Sequence, residues 1–216
     1  MSQRLSGNKS ARKKNRIRRS AEETRRLIIR AARAELVASG SEIEVNQIAK
    51  RAGLSEGVVY YHFGNRKGLL DAMVRDHYFR LDEQVALIRF DGVTWVAREQ
   101  ARIRAMVDLY FDDPSAILIA SIVRSDPQLV AYEAERRKRL YELGARNIAE
   151  AQGTGEIKVD TDPQLLASML LTASETAIID ALQREPQLPR DLVEQQIVDF
   201  LRLVTLAPQT PPGAGV

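Results

Sequence analysis

Apolar residues recur at steps of three and four along almost the whole chain, and glycine or proline cuts that pattern into pieces of helical length. Ile28, Ala31, Ala32 and Leu36 form the first stripe, which Gly40 ends, and Ser20 with Glu23 has the spacing of a capping box at its start. A short segment over 45–52 turns Ile48, Ala49 and Ala52 inward before Gly53 breaks it. A third piece runs from Ser55 through His62, and after Gly64 the amide of Asn65 is placed to cap a long helix over 66–89. Asp91-Gly92 marks a turn. Further helices are expected over 94–112, 114–124, 127–152, 163–184 and 189–206, four of them opening on a proline, whose missing N–H costs nothing in a first turn. No stretch alternates apolar and polar residues as a half-buried strand would. The pattern predicts an all-α chain of about nine helices.

With 216 residues, 44% of them apolar and 28% charged, the chain can bury a sizeable core and has an ordinary globular composition. Cysteine is absent, which excludes disulfides, thiol nucleophiles and thiolate metal sites. His62 and His77 are the only histidines, and the scattered carboxylates show no pairing suited to general acid–base work. No metal, no cofactor and no enzymatic activity are therefore expected. No apolar stretch reaches the roughly 18 residues of a membrane span. The N-terminal cations have no apolar segment behind them, unlike a secretory signal. A cytoplasmic location without membrane contact is expected.

The net charge of +3 conceals an asymmetry. Residues 1–82 hold 18 Lys and Arg against 9 Asp and Glu, a balance of +9, and residues 83–216 hold 14 against 20, a balance of −6. Residues 1–20 carry eight cations and no acid. A basic end on an acidic body suggests a polyanion at one end only. Composition alone fits DNA, RNA, an anionic membrane surface, or a merely solubilising tail.

The segment "LSEGVVYYHFGNRKGLL", Leu54 to Leu70, narrows the choice. Two glycines, two valines and clustered aromatics are poor helix-building material. They make sense if the short helix lies in a DNA major groove after a tight turn from the helix before it. Gly57 allows close backbone approach, and Val58 offers a methyl surface to a thymine methyl. Ser55 and the free N–H groups of the helix start suit a phosphate. Tyr60, Tyr61 and His62 can send polar tips to the sugar-phosphate backbone, and Arg66 and Lys67 open the next helix beside it. Base readout would fall to Gly57, Val58 and Tyr61 with Asn46 or Gln47 of the preceding helix.

These residues carry a resemblance. "TRRLIIRAARAELVASG", "IAKRAGLS" and "GVVYYHFGNRKGLL", in that order across 24–70, resemble the DNA-binding domain of TetR-family transcriptional regulators. Two positions depart from the pattern. Glu44 stands where a Thr or Ser hydroxyl usually opens the second helix, and Glu56 stands where a cation commonly follows the serine of the recognition helix. A carboxylate there is repelled by phosphate, or accepts from a cytosine amino group. Arg12, Arg16, Arg18 and Arg19 of the basic arm are expected to enter the adjacent minor groove and offset the loss.

The resemblance implies a division into a disordered basic arm (1–19), a three-helix helix-turn-helix domain (20–65), a larger helical ligand-binding and dimerisation domain (66–207, with 66–89 connecting), and a disordered tail (208–216). It implies a homodimer on palindromic double-stranded DNA, with half-sites about one helical turn (~34 Å) apart, acting in the cytoplasm at the bacterial nucleoid. Dimerisation is expected on the last two helices, through Leu171, Ile178, Val193, Ile197, Phe200, Leu201 and Val204, in a four-helix bundle with the partner. A small-molecule effector, implied by the family, is expected near Trp95, Arg98, Arg102, Met106 and Tyr110, which follow steps of three or four, with Tyr132 and Glu175. Repression is the commoner mode in the family. The alternative is an architectural or protein-controlled DNA-binding protein with no small-molecule switch.

Overall fold

The computed structural model describes residues 6–40, 43–157 and 160–206, with side chains from Ala21 onward. Among the described residues there are nine α-helices, one π-helical turn and no strand. The chain divides into two compact units, Met1–Asp76 and His77–Val216. The unstructured tail expected over 208–216 lies outside the described residues.

The first unit holds α1 (Ser6–Ser39), α2 (Val45–Ala52), α3 (Glu56–Phe63) and most of α4 (Arg66–Leu81). Helix α1 starts well before Ser20, so residues 6–19, expected as an unstructured arm, continue the helix upstream, and Ser20 is an interior position rather than a cap. The physical reason is composition: Arg and Lys make up half of this stretch, and both are good helix formers. Ile28, Ala32 and Leu36 of α1 meet Ile48, Val59 and Leu69 in a fully buried core. Helix α2 closes on Gly53, whose φ of 67° is open to glycine but costly for other residues; its N–H donates to the Lys50 carbonyl at 3.2 Å, and that of Leu54 to Ala49 at 2.9 Å. Between α3 and α4 the backbones approach so closely that a Cβ on Gly68 would lie 2.1 Å from the Phe63 carbonyl oxygen. Asn65 caps α4 as expected, its Oδ1 accepting from the Gly68 N–H at 2.9 Å. Ser55 stands at the N-cap of α3 without a side-chain cap bond.

The second unit holds the end of α4, the π-helical turn Asp82–Ala86, α5 (Trp95–Asp112), α6 (Ala116–Ser125), α7 (Pro127–Gly153), α8 (Pro163–Gln183) and α9 (Arg190–Leu206). Three starts are capped by side chains: Thr94 accepts from Ala97 N–H at 3.2 Å, Asp126 from Gln128 at 2.9 Å and Asp162 from Leu165 at 2.8 Å. Pro114 falls in the turn before α6 rather than in its first turn.

Helix α4 ends at Leu81, eight residues before the expected end at 89. There the Leu87 N–H reaches back five residues to the Asp82 carbonyl at 2.8 Å. Two distant arginines hold this turn. Arg136, 1% exposed, donates from Nε to the Asp82 carboxylate at 2.9 Å and lies 4.5 Å from the centre of the Tyr78 ring. Arg102 donates from Nη1 to the carbonyls of Val85, Ala86 and Ile88.

Helix α8 corrects another expectation: by length and a mean hydropathy of 1.5 it is apolar enough to cross a membrane. Its apolarity comes mainly from leucine and isoleucine, and it packs against α7 in the most extensive helix pairing in the unit. Ser174 and Glu175 are buried in its middle.

Candidate nucleic-acid interface and effector cavity

In the helix-turn-helix, burial separates one face of each short helix from the other. Val45, Ile48 and Ala49 of α2 and Val59 of α3 point into the core. Asn46, Gln47, Ser55, Glu56, Gly57, Tyr60 and Tyr61 are exposed, and Val58 and His62 are half-buried. Tyr61 is 85% exposed, its ring meeting only the edge of His62 among the aromatics, at 5.2 Å between centroids. Tyr60 beside it is exposed as well, so the two rings together offer an aromatic surface on one short helix. Glu44 stands at the N-cap of α2, exposed and without a cap bond.

Arg66 differs from its expected role. Its Nε donates to the Ile43 carbonyl at 2.8 Å, tying the start of α4 to the segment ahead of α2. Lys67 is exposed beside it. Arg25 was not singled out from the sequence, yet its guanidinium donates to the His62 carbonyl and lies 4.5 Å from the centre of the Phe63 ring, fixing the end of α3 against α1. Its partner is a carbonyl 37 residues away, which no sequence pattern reveals. The side chains of Arg12, Arg16, Arg18 and Arg19 lie outside the described residues.

The second unit contains a cavity of about 610 Å³ between the π-helical turn, α5, α7 and α8. Trp95, Arg98, Arg102 and Met106 line it, as their spacing suggested. Leu140, Leu143 and Asn147 of α7 and Ser174 of α8 also line it and were missed, because apolar residues on a long amphipathic helix look alike whether they face a core or a cavity. The polar groups here hold one another. Arg98 reaches the Glu156 carboxylate at 3.5 Å, Arg102 reaches Glu99 at 3.1 Å, and Asn147 Nδ2 donates to Glu99 at 2.9 Å. The Trp95 backbone N–H donates to Glu156, and that bond, with Arg98 beside it, draws the carboxyl below its usual range against the opposing effect of desolvation. The Trp95 indole Nε1–H is buried without a protein acceptor.

Three expected ligand residues are elsewhere. Tyr110 is in the core with its ring edge against His77, 6.1 Å between centroids, and burial pushes its hydroxyl well above the usual range. Tyr132 packs beside Tyr78 at 6.3 Å. Burial, reinforced by Glu133, raises the Tyr78 hydroxyl to about 12. Glu175 is buried in an ion pair with Arg137, which also bonds Glu133. Glu175 therefore meets its need for a cation within the chain.

The last two helices also depart from expectation. Ile178, Val193, Ile197 and Leu201 are buried in the core of the single chain, and Leu171 and Val204 are half-buried. Of the expected dimerisation residues only Phe200 is exposed, at 40%. The exposed apolar residues are instead Leu165 and Met169 on α8 and Leu192, Phe200, Leu203 and Leu206 on α9. The strongest apolar stripe of an amphipathic helix is the one its own core takes. Among the described residues, no group of three or more His, Cys, Asp or Glu is placed to hold a metal ion.

Residues 28–73 match the family described as "Bacterial regulatory proteins, tetR family". The chain is 44% identical over 73 residues to the HTH-type transcriptional regulator BetI of Stenotrophomonas maltophilia, a match covering 34% of this chain and 36% of that protein. It is 25% identical over 166 residues to the HTH-type transcriptional regulator UidR of Escherichia coli, covering 74% of this chain and 82% of the relative. The match thus spans about a third of BetI, and the stronger identity is confined to one part of the chain. Among solved structures, FadR of Bacillus subtilis in complex with stearoyl-CoA superposes with a TM-score of 0.69 at 19% identity, covering 85% of this chain and 98% of that one. A tetR-family regulatory protein from Rhodococcus RHA1 superposes with a TM-score of 0.68 at 19% identity, covering 84% and 96%. The likeness to these structures is one of fold. A helix-turn-helix of this geometry lies under the family match, so residues 28–73 are a helix-turn-helix domain of the tetR family of bacterial regulatory proteins.

Proposed function

We propose that this regulator is a repressor that binds a palindromic DNA operator as a homodimer and leaves it when a small molecule fills the cavity of the second unit. The observation that carries the DNA part is the α2–α3 surface, where Asn46, Gln47, Gly57, Tyr60 and Tyr61 stand exposed on helices whose opposite faces are buried. Base contacts would come from Asn46, Gln47, Gly57, Val58 and Tyr61, and phosphate contacts from Ser55, Tyr60, His62 and Lys67. Glu44 and Glu56 bias the site against dense phosphate contact and toward a cytosine amino donor. The exposed apolar residues of α8 and α9 support an isologous dimer, which presents two recognition helices to two half-sites. The cavity supports the effector; its occupant and the operator then weaken each other's binding by the same factor.

The test is selection of duplexes from a random DNA pool by the full-length protein at physiological salt. Recovery of a two-fold palindrome is the expected result. Recovery of duplex without sequence preference would overturn operator reading and favour an architectural role carried by the basic N-terminus.

A further inference from the structure

Resting on the proposal that the cavity is the effector site, we infer that it takes an uncharged, largely apolar molecule bearing one hydrogen-bond acceptor, and that the acceptor meets the indole N–H of Trp95. The walls are mainly aliphatic, with Ile103, Met106, Leu140, Leu143, Leu170 and Leu171 among them. The charges facing the cavity cancel. Arg98 pairs with Glu156 and Arg102 with Glu99, and one further cation and one further anion, Arg89 and Glu150, are exposed at its edge. An anionic ligand would have to break the Arg98 or Arg102 pair and leave a carboxylate uncompensated, and a cationic one would do the converse. A neutral molecule disturbs neither. Trp95 is 1% exposed, lines the cavity, and its Nε1–H is a donor buried without a protein acceptor. A buried donor of this kind favours whatever supplies its acceptor and discriminates against an analogue that lacks it.

The chain's single tryptophan makes the inference directly measurable, because intrinsic tryptophan emission reports on this cavity alone. Four probes of matched length separate the possibilities: 2-undecanone (neutral, with an acceptor), 1-undecene (neutral, without one), undecanoate and undecylammonium. Titrations of the full chain by emission and by calorimetry should rank 2-undecanone first, about ten-fold tighter than each of the other three, as expected for one satisfied buried donor. In Trp95→Phe, followed by calorimetry, 2-undecanone should fall to the level of 1-undecene in the same variant, because the lost ring volume is felt by both probes alike and the lost donor by the ketone alone. Undecanoate or undecylammonium binding as tightly as the ketone would overturn the ligand class and leave the cavity as effector site standing. Equal binding of ketone and alkene would remove Trp95 from recognition. No binding by any of the four would overturn both the ligand class and the effector cavity itself.

Discussion

Val59 and Tyr61 stand two residues apart on α3, and the short helix separates their tasks. Val59 is fully buried, and Tyr61 is almost fully exposed. Removing the Val59 methyls leaves a hole in a small core, so Val59→Ala should destabilise the protein by about 2 kcal/mol in urea melts. Tyr61→Ala removes nothing from that core. It should leave the urea midpoint unchanged and weaken operator binding about ten-fold or more, a loss of roughly 1.4 kcal/mol or greater. A Tyr61 variant that binds operator normally would take that side chain out of the interface. The exposed set was legible in the sequence, since residues unsuited to a stable helix were gathered where a groove-reading helix would need them. The tie from Arg66 to the Ile43 carbonyl and the clamp made by Arg25 were not, because their partners are backbone carbonyls at separations of 23 and 37 residues.

Between elements, long-range polar contacts decide what periodicity cannot. Eight of the nine C-terminal helix ends in the sequence reading differ by no more than a residue from those observed, because caps, glycines and prolines act locally. The end of α4 was misplaced because Arg102 and Arg136, far along the chain, take the backbone and carboxylate groups of the turn. Asp113, just after α5, is another such junction: His77 lies 3.6 Å from it, Arg80 pairs with it at 2.6 Å and Ser115 donates to it. Burial alone would raise its carboxyl, but the nearby His77 imidazole, the bond from Ser115 and the charge of Arg80 outweigh that and lower it from 3.8 to about 2. A carboxyl held below its unfolded value stabilises the fold above that value and ceases to do so once protonated. The contribution, about 2 kcal/mol, should be present at neutral pH and disappear as pH falls from about 4 to about 2. Urea melts of wild type and Asp113→Asn should therefore differ at pH 7 and converge near pH 2; a constant gap would show that the ion-pair account is wrong. The proposed dimer face differs from the expected one for a related reason. Apolar periodicity identifies the face that a helix gives to its own core, and the proposal places the partner on the weaker exposed stripe behind it. Met169→Asp with Phe200→Asp places two charges on that exposed face without touching Ile178 or Ile197. Light scattering should report a monomer with a near-normal melt, and a dimer surviving both charges would move the interface elsewhere.

At the scale of the molecule, charge is divided along the chain, +9 over residues 1–82 and −6 over 83–216, so that attraction to DNA is concentrated in the unit that carries the helix-turn-helix. That division was visible without coordinates, and so was the class of fold, because both are sums over many residues and survive local error. Eight of the cations lie in the first 19 residues. Among the described side chains, the deepest packing of α1 begins at Ile28. Each phosphate neutralised adds about 0.9 to the slope of log affinity against log salt. If about half of the eight cations meet phosphate, deleting residues 1–19 should flatten that slope by roughly 4 and weaken binding most at low salt. The preferred operator should not change, because phosphate contacts position the protein and base contacts choose the sequence. Titrations of labelled operator across a salt series, with full-length and shortened chains, measure all of this together. An unchanged slope would mean that the N-terminal cations stay clear of DNA, and that the helix-turn-helix, despite Glu44 and Glu56, supplies the whole electrostatic attraction from Lys67 and its neighbours.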